Sequence, residues 1–158
     1  MEISPEALAV IGGAIALAGG LGGSSIGIGI AGSAGAATLS EEPGQLRNVI
    51  LLASLPMTQT FYGLITLILV LTRVRISPTL IDKPEMGFAV LGIGIITAFA
   101  EFFSAWYQGC VCASGISLLP KTKGRILTNA MMLAVFVELI GVLGLVFAIM
   151  ALAMLGLF

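Results

Sequence analysis

The sequence predicts an all-α membrane protein of four transmembrane helices, arranged as two tandem duplicated hairpins. Hydrophobic residues make up 58% of the 158-residue chain and charged residues only 9%, whereas an ordinary soluble domain has about 25% charged residues. The few charged residues cluster between long apolar segments, and the two halves of the chain resemble each other. These three observations exclude an ordinary water-soluble domain.

The charged clusters divide the chain into four apolar segments that are long enough to cross a bilayer. The segments span residues 7–39, 46–72, 86–119 and 126–158. A transmembrane helix needs about 20 apolar residues, whereas a membrane-spanning strand needs only about ten residues of alternating polarity. Because the segments are long and continuously apolar, they predict helices and exclude strands.

The first segment is rich in glycine, with ten glycines between positions 12 and 35. Many are four or seven residues apart, as in Gly13, Gly20 and Gly27, so they form rows along a helix. Such rows let helix backbones approach closely, and close packing drives helix association in lipid. We therefore expect this helix in the inner layer of a ring of subunits, with a tightly packed four-helix bundle as the alternative.

The second and third segments carry polar side chains at membrane depth. Thr58, Gln59 and Tyr62 follow Pro56 in the second segment. Proline cannot donate a backbone hydrogen bond, so we expect a weakened or kinked helix at this point. The third segment adds Gln108 in the run SAWYQG.

Two carboxylates lie inside apolar segments. Glu138 lies in MMLAVFVELIGVLGLV of the fourth segment. A carboxylate at the bilayer centre costs at least about 2.5 kcal/mol and usually marks an ion or proton path, so we predict Glu138 as the ion-translocating carboxylate. Glu101 lies seven residues before Gln108 on about the same helix face. Three roles are open for it at this point: an accessory ion ligand, a neutral protonated acid, and a group that faces the lumen of a ring.

Three of the polar side chains are expected at one membrane depth. If the loops at 40–47 and 120–125 lie on one side, then Gln59, Gln108 and Glu138 are each twelve or thirteen residues from a charged residue at that surface. They therefore lie about 18–20 Å along their helices from it. Neutral oxygens around one carboxylate suit a dehydrated monovalent cation, because hard cations prefer oxygen ligands. Proton transfer needs only the carboxyl.

An internal repeat supports the division into hairpins. A shift of 80 residues aligns AVIGGAIALA at 9–18 with AVLGIGIITA at 89–98, and a shift of 81 pairs Asn48 with Asn129. Two helices per repeat return the chain to the same side, so the repeats are parallel. We therefore predict one hairpin at 1–79 and a second at 80–158.

Several motifs resemble the proteolipid K (c) subunits of V-type ATPases, particularly the sodium-translocating bacterial kind. These are LPMTQTFYG, SAxxQG, VFVELIGVLGL and the doubled glycine-rich hairpin. The resemblance covers nearly the whole chain. It implies a non-catalytic, multi-pass subunit of a rotor ring in a bacterial plasma membrane. Its partners would be identical subunits, the stator membrane subunit and a central stalk subunit, and ATP hydrolysis in a soluble head would turn the ring.

The resemblance also implies an ion site. Its ligands would be the backbone carbonyl of Leu55 and the side chains of Thr58, Gln59, Gln108 and Glu138, with Tyr62 as a supporting hydrogen-bond donor. Na⁺ is the expected ion, because two carboxamides add coordination that a proton does not require, and H⁺ is the alternative. Glu101 departs from the family pattern.

In the first hairpin, the position that matches Glu138 is Met57. Each four-helix subunit therefore keeps one ion-translocating carboxylate instead of two, and fewer ions cross in each turn of a ring. The same torque then works against a steeper gradient, which favours a pump over a synthase.

The positions of Lys and Arg predict the orientation of the chain in the membrane. The loops at 40–47 and 120–125 hold four Lys or Arg and the segment 73–85 holds three, so the former are predicted to be cytoplasmic and to meet the stalk. No G-x-x-x-x-G-K-[ST] motif occurs, so no nucleotide is expected on this chain.

The remaining alternatives are a small secondary transporter, a structural membrane scaffold and an F-type rotor, which is more usually a single hairpin.

Overall fold

The computed structural model describes residues 4–76 and 83–157. Within these ranges the chain is almost entirely helical and contains no strand. The α-helices are α1 (Pro5–Glu41), α2 (Leu46–Ser54), α3 (Thr58–Ile76), α4 (Pro84–Ser117), α5 (Leu119–Thr122) and α6 (Leu127–Met154). Four stretches are long and apolar enough to cross a membrane, namely α1, Pro43–Ile76, α4 and α6. The predicted four-helix membrane fold is confirmed, while the predicted hairpin boundary between residues 79 and 80 lies outside the described residues.

The first helix begins at a well-formed cap. The side chain of Ser4 accepts a hydrogen bond from the backbone N–H of Ala7 at 3.2 Å, and Pro5 occupies the start of the helix. Proline is favoured there, because its missing N–H would have no partner in the first turn. With 37 residues, α1 is about 55 Å long. It is therefore much longer than a hydrocarbon core of about 30 Å and must tilt or project from it.

The second membrane span is interrupted at Pro56. Two α-helices, α2 and α3, meet at the 3-10 turn Leu55–Met57. Pro56 has no N–H to donate to the carbonyl one α-helical turn earlier, and its neighbours form tighter bonds. The Leu55 N–H donates to the Leu52 carbonyl and the Thr58 N–H donates to the Leu55 carbonyl. The expected weakening at Pro56 therefore takes the form of a local change of helix type.

Two of the predicted helix ends are corrected. The third helix was expected to reach residue 119, but α4 ends at Ser117 and the short α5 begins at Leu119. Pro120 has no N–H to donate to the carbonyl of Ile116 one α-helical turn earlier, and that carbonyl accepts a hydrogen bond from the Thr38 hydroxyl instead. The fourth helix was expected to run to residue 158, but α6 ends at Met154. Gly156 has a φ of 74°, a left-handed conformation that commonly terminates a helix.

The first helices of the two halves, α1 and α4, form the central pair of the bundle and make the most extensive interhelical contact. Their backbones touch where glycines meet. Gly94 packs on Gly12, and Gly109 packs on Gly27. A Cβ on Gly12 would lie 2.7 Å from the Cα of Leu91. The glycine rows of the sequence thus serve close packing within the subunit.

The other spans pack on the outside of this pair, α3 against α1 and α6 against α4. The hydroxyl of Thr60 donates to the carbonyl of Gly20 at 3.3 Å, which connects α3 with α1. The hydroxyl of Thr38 donates to the carbonyl of Ile116 at 3.1 Å, which connects α1 with α4. Large apolar side chains cover the outward face of α6, including Phe136 and Leu143. This surface suits contact with lipid or with other membrane helices.

Candidate functional site

Glu138 is held by side chains from two other helices. It is half-buried on α6. Its Oε1 accepts a hydrogen bond from the Tyr62 hydroxyl of α3 at 3.0 Å, and its Oε2 accepts one from Nε2 of Gln108 on α4 at 3.3 Å. Both carboxylate oxygens are therefore oriented by specific donors.

Two fully buried carboxamides extend this network into the bundle. Gln59 and Gln108 each have 0% exposure. The Nε2 of Gln59 donates to Oε1 of Gln108 at 3.0 Å and also lies 3.0 Å from the Ser104 hydroxyl oxygen. Besides Glu138, the Nε2 of Gln108 reaches the carbonyl of Ala134 at 3.3 Å. Buried polar groups without such partners would be costly, so the network keeps both glutamines in place.

The turn at Pro56 brings further oxygens to the same place. The hydroxyl of Thr58 lies 3.1 Å from the Leu55 carbonyl and 3.1 Å from Oε1 of Gln59. A hydroxyl has one proton and can donate to only one of these oxygens at a time. The Thr58 hydroxyl, the Leu55 carbonyl and Oε1 of Gln59 therefore lie close together at the start of α3, and the single hydroxyl proton cannot serve both acceptor oxygens. A cation can stabilise such a group of oxygens.

The structure brings together the side chains that the sequence predicts for the site. Thr58, Gln59, Tyr62, Gln108 and Glu138 are connected through the bonds described above, and the Leu55 carbonyl adjoins Thr58. These contacts span α3, α4 and α6, which belong to both halves of the chain. The contacts agree with the common membrane depth expected for the two glutamines and the carboxylate.

Sequence reasoning missed Ser104 as part of this network. Its hydroxyl donates to the carbonyl of Val137 on α6 at 2.9 Å and accepts from Gln59. The signal was present, because Ser104 lies four residues before Gln108 and therefore on the same face of α4. A serine in a membrane helix often bonds to its own helix, so the sequence alone did not separate the two uses.

The chemistry of the donor set fits a small monovalent cation. It combines one carboxylate with the neutral oxygens of a backbone carbonyl, a hydroxyl and two carboxamides. Hard cations prefer oxygen ligands of this kind. Every Lys and Arg of the sequence lies near a helix end or in a loop, so among the described residues no basic side chain lies beside Glu138.

Glu101 lies apart from this hydrogen-bonded network. It is fully buried, and neither carboxylate oxygen has a hydrogen-bond partner among the described residues. Its side chain lies beside Gly141 and Gly144 of α6. A group that faced the lumen of a ring would be exposed on the surface of the isolated chain, so burial between α4 and α6 argues against that interpretation.

Comparisons with known proteins agree on one kind of protein. The family model for the C subunit of ATP synthase matches residues 11–70 and again residues 91–151, so each half of the chain carries one match. The V-type sodium ATPase subunit K of Enterococcus hirae is 32% identical over 124 residues, which cover 78% of this chain and 76% of that protein. The A-type ATP synthase subunit K of Methanocaldococcus jannaschii is 30% identical over 151 residues, which cover 95% of this chain but only 64% of that longer protein.

Proposed function

We propose that this chain carries Na⁺ across the membrane on Glu138 as a rotor-ring subunit of a V-type ATPase. The proposal starts from the fact that the chain belongs to the family of ATP synthase C subunits. The family consists of non-catalytic membrane proteolipids that form ring oligomers within ATPase complexes, and this multi-pass chain is one of them. This membership displaces the alternatives of a secondary transporter and a structural scaffold. The transported ion, the site residues and the particular partners are the content of the proposal.

One observation carries the assignment of the site. The Glu138 carboxylate accepts hydrogen bonds from Tyr62 and Gln108, and the Gln108 carboxamide is bonded in turn to Gln59 beside Thr58. The side-chain oxygens of Thr58, Gln59, Gln108 and Glu138, with the Leu55 carbonyl, are the proposed ligands. Tyr62 supports the site as a donor that fixes the carboxylate.

The transport step follows from the cost of charge in lipid. An ionised carboxylate that faces hydrocarbon is strongly disfavoured, so Glu138 must be neutralised by a bound ion while its subunit faces the bilayer. We expect the ion to leave where a cationic group of the stator membrane subunit stabilises the empty carboxylate, with aqueous half-channels as the route to and from the site. Rotation of the ring then carries the reloaded site around.

Two features favour Na⁺ over H⁺. Buried carboxamides and a hydroxyl supply oxygens that a proton on Glu138 would not need. The relative from Enterococcus hirae is a subunit of a sodium ATPase. H⁺ remains the alternative ion, since a proton would also neutralise Glu138.

The proposed direction of operation, pumping rather than ATP synthesis, and the proposed membrane location both rest on the sequence. Met57 stands where the first hairpin would carry a second carboxylate, so one ion is carried by each subunit and the complex is suited to pumping. We place it in a bacterial plasma membrane, with its central stalk subunit at the loops 40–47 and 120–125.

Carbodiimide labelling of the intact ATPase tests the function. Carbodiimides react with protonated carboxyls in membranes, and a bound Na⁺ should block the reaction at Glu138. We expect Na⁺ to protect Glu138 at fixed pH, with the modified residue identified by mass spectrometry. The Glu138→Gln variant serves as the control and should lose both this label and ATP-driven Na⁺ transport.

Two results would decide against the proposal. Protection by raised pH alone, with no effect of Na⁺, would assign H⁺ as the carried ion. Transport at the normal rate by the Glu138→Gln variant would remove Glu138 from the mechanism altogether.

A further inference from the structure

Glu101 is a buried carboxyl that the proposed transport cycle does not use. It has 0% exposure, and both of its carboxylate oxygens are without a hydrogen-bond partner among the described residues. Its position is also tightly defined. A Cβ on Gly141 would lie 2.8 Å from Oε2 of Glu101, and a Cβ on Gly144 would lie 3.2 Å from Oε1. Two glycines of α6 thus leave the space that the carboxyl occupies.

The carboxyl continues a polar row along the buried face of α4. Thr97, Glu101, Ser104 and Gln108 are all buried and are spaced four, three and four residues apart, which places them on one side of the helix. Ser104 and Gln108 belong to the network around Glu138. The hydroxyl oxygen of Ser104 would lie 3.2 Å from a Cβ on Gly141, the same point that Oε2 of Glu101 approaches. Glu101 therefore lies next to the ion site without a hydrogen bond to it.

An ionised carboxylate in this position would have no positive charge beside it to compensate its negative charge. The titratable groups of the neighbouring helices at this level are Tyr62 on α3 and Glu138 on α6, which are hydrogen-bonded to each other, and neither of them is a cation. The acids of α1, Glu6 and Glu41, lie only at its two ends. Burial without a positive partner strongly favours the neutral form of an acid.

We propose that Glu101 binds a proton at a separate site, occluded between α4 and α6, and keeps this proton while Glu138 exchanges the transported ion. This inference rests on the proposed function of Glu138 as the ion carrier. Each subunit then holds two acidic side chains with different roles. Glu138 carries the exchangeable ion, and Glu101 stays neutral, so that only one negative charge has to be matched in each step of rotation.

A proton fits this site better than a second Na⁺. Sodium needs several oxygen ligands, and the side-chain oxygen that approaches the same point as Oε2 of Glu101 is that of Ser104. The Ser104 hydroxyl already donates to the Val137 carbonyl and accepts from Gln59. A proton needs only the carboxyl oxygen.

Infrared spectroscopy of the purified ring tests this inference directly. The C=O stretching band of a neutral carboxylic acid is separate from the bands of ionised carboxylates. We expect this band at neutral pH in the Glu138→Gln variant, in which Glu101 is the one carboxyl buried within the described residues, and we expect it to be missing in a Glu101→Gln, Glu138→Gln double variant. Since Glu138 is absent from both proteins, the result does not depend on whether the ring carries Na⁺ or H⁺.

Absence of the acid band from the Glu138→Gln spectrum would overturn the proposal, because Glu101 would then be ionised. Should the double variant fail to assemble, counting Na⁺ by equilibrium binding to the wild-type ring provides a second test. At saturation we expect no more than one Na⁺ per subunit. Two Na⁺ per subunit, with one lost in Glu101→Gln, would make Glu101 a sodium ligand and would also refute the proton assignment.

Discussion

At the scale of single residues, the orientation of Glu138 depends on donors from other helices. Tyr62 bonds to one carboxylate oxygen and Gln108 to the other. Such bonds fix the orientation of the two carboxylate oxygens, which are the atoms that would bind a cation. We therefore expect the phenol of Tyr62 to contribute to ion affinity although it is not one of the proposed ligands.

Replacement of Tyr62 by Phe removes one of these two donors and leaves the aromatic ring in place. A hydrogen bond to a charged group contributes about 1.5–3 kcal/mol, so we expect Na⁺ affinity to fall by about tenfold or more. The measurement is the Na⁺ concentration that gives half-maximal protection of Glu138 from carbodiimide. Tyr107→Phe is the matched control, because Tyr107 is exposed on α4, and an equal loss in both variants would contradict the role of Tyr62.

At the scale of helices, small residues set the distance between the two halves of the molecule. Gly12 and Gly92 occupy equivalent positions in the internal repeat, but their surroundings differ. A Cβ on Gly12 would meet the backbone of α4, with the Val90 carbonyl oxygen at 2.7 Å, whereas a Cβ on Gly92 would have no atom of the described residues within 4 Å. The repeat is thus symmetric in sequence and asymmetric in packing.

These surroundings predict opposite effects for two alanine substitutions. Gly12→Ala should push the backbones of α1 and α4 apart, and overpacking of this kind lowers the free energy of unfolding by about 1–3 kcal/mol. Gly92→Ala adds a methyl group in open space and should stabilise the helix by about 0.5–1 kcal/mol. Thermal unfolding in detergent, followed by circular dichroism, measures both. Equal stability of the two variants would argue against the close contact of α1 with α4.

At the scale of the whole molecule, the two connections within the hairpins lie at the same end of the bundle. Gly124, in the turn before α6, lies beside Asn48 and Gln45, near the start of α2. This arrangement is the parallel repeat that the sequence predicts. With the positive-inside rule, it implies that both connections face the cytoplasm.

Cysteine labelling from one side of the membrane tests this topology. In a background that lacks Cys110 and Cys112, we expect a membrane-impermeant thiol reagent to label Glu42→Cys and Lys123→Cys in inverted vesicles. Glu85→Cys is the control and should react only in right-side-out vesicles. All three positions are exposed on the isolated chain. Labelling of Glu42→Cys and Lys123→Cys from opposite sides would contradict the parallel arrangement.

The four membrane spans and the depth of the polar residues could be derived from the amino-acid sequence alone. Lipid enforces helices, because unpaired backbone groups are costly there, and a fixed rise per residue converts spacing into depth. Gln59, Gln108 and Glu138 could therefore be assigned to one level without coordinates. The motifs around them were specific enough to predict the family, which the comparisons confirm.

The contacts between side chains at that level depend on the packing of the helices and could not be derived from the sequence. Ser104 joins Gln59 to α6, Gly12 is crowded while Gly92 is open, and Glu101 is enclosed beside Gly141 rather than exposed. The physical reason is that contacts between helices depend on how each helix is rotated and on how closely its backbone approaches its neighbours. Those quantities arise from packing between the two halves of the chain, whereas spacing along one helix fixes only depth and face.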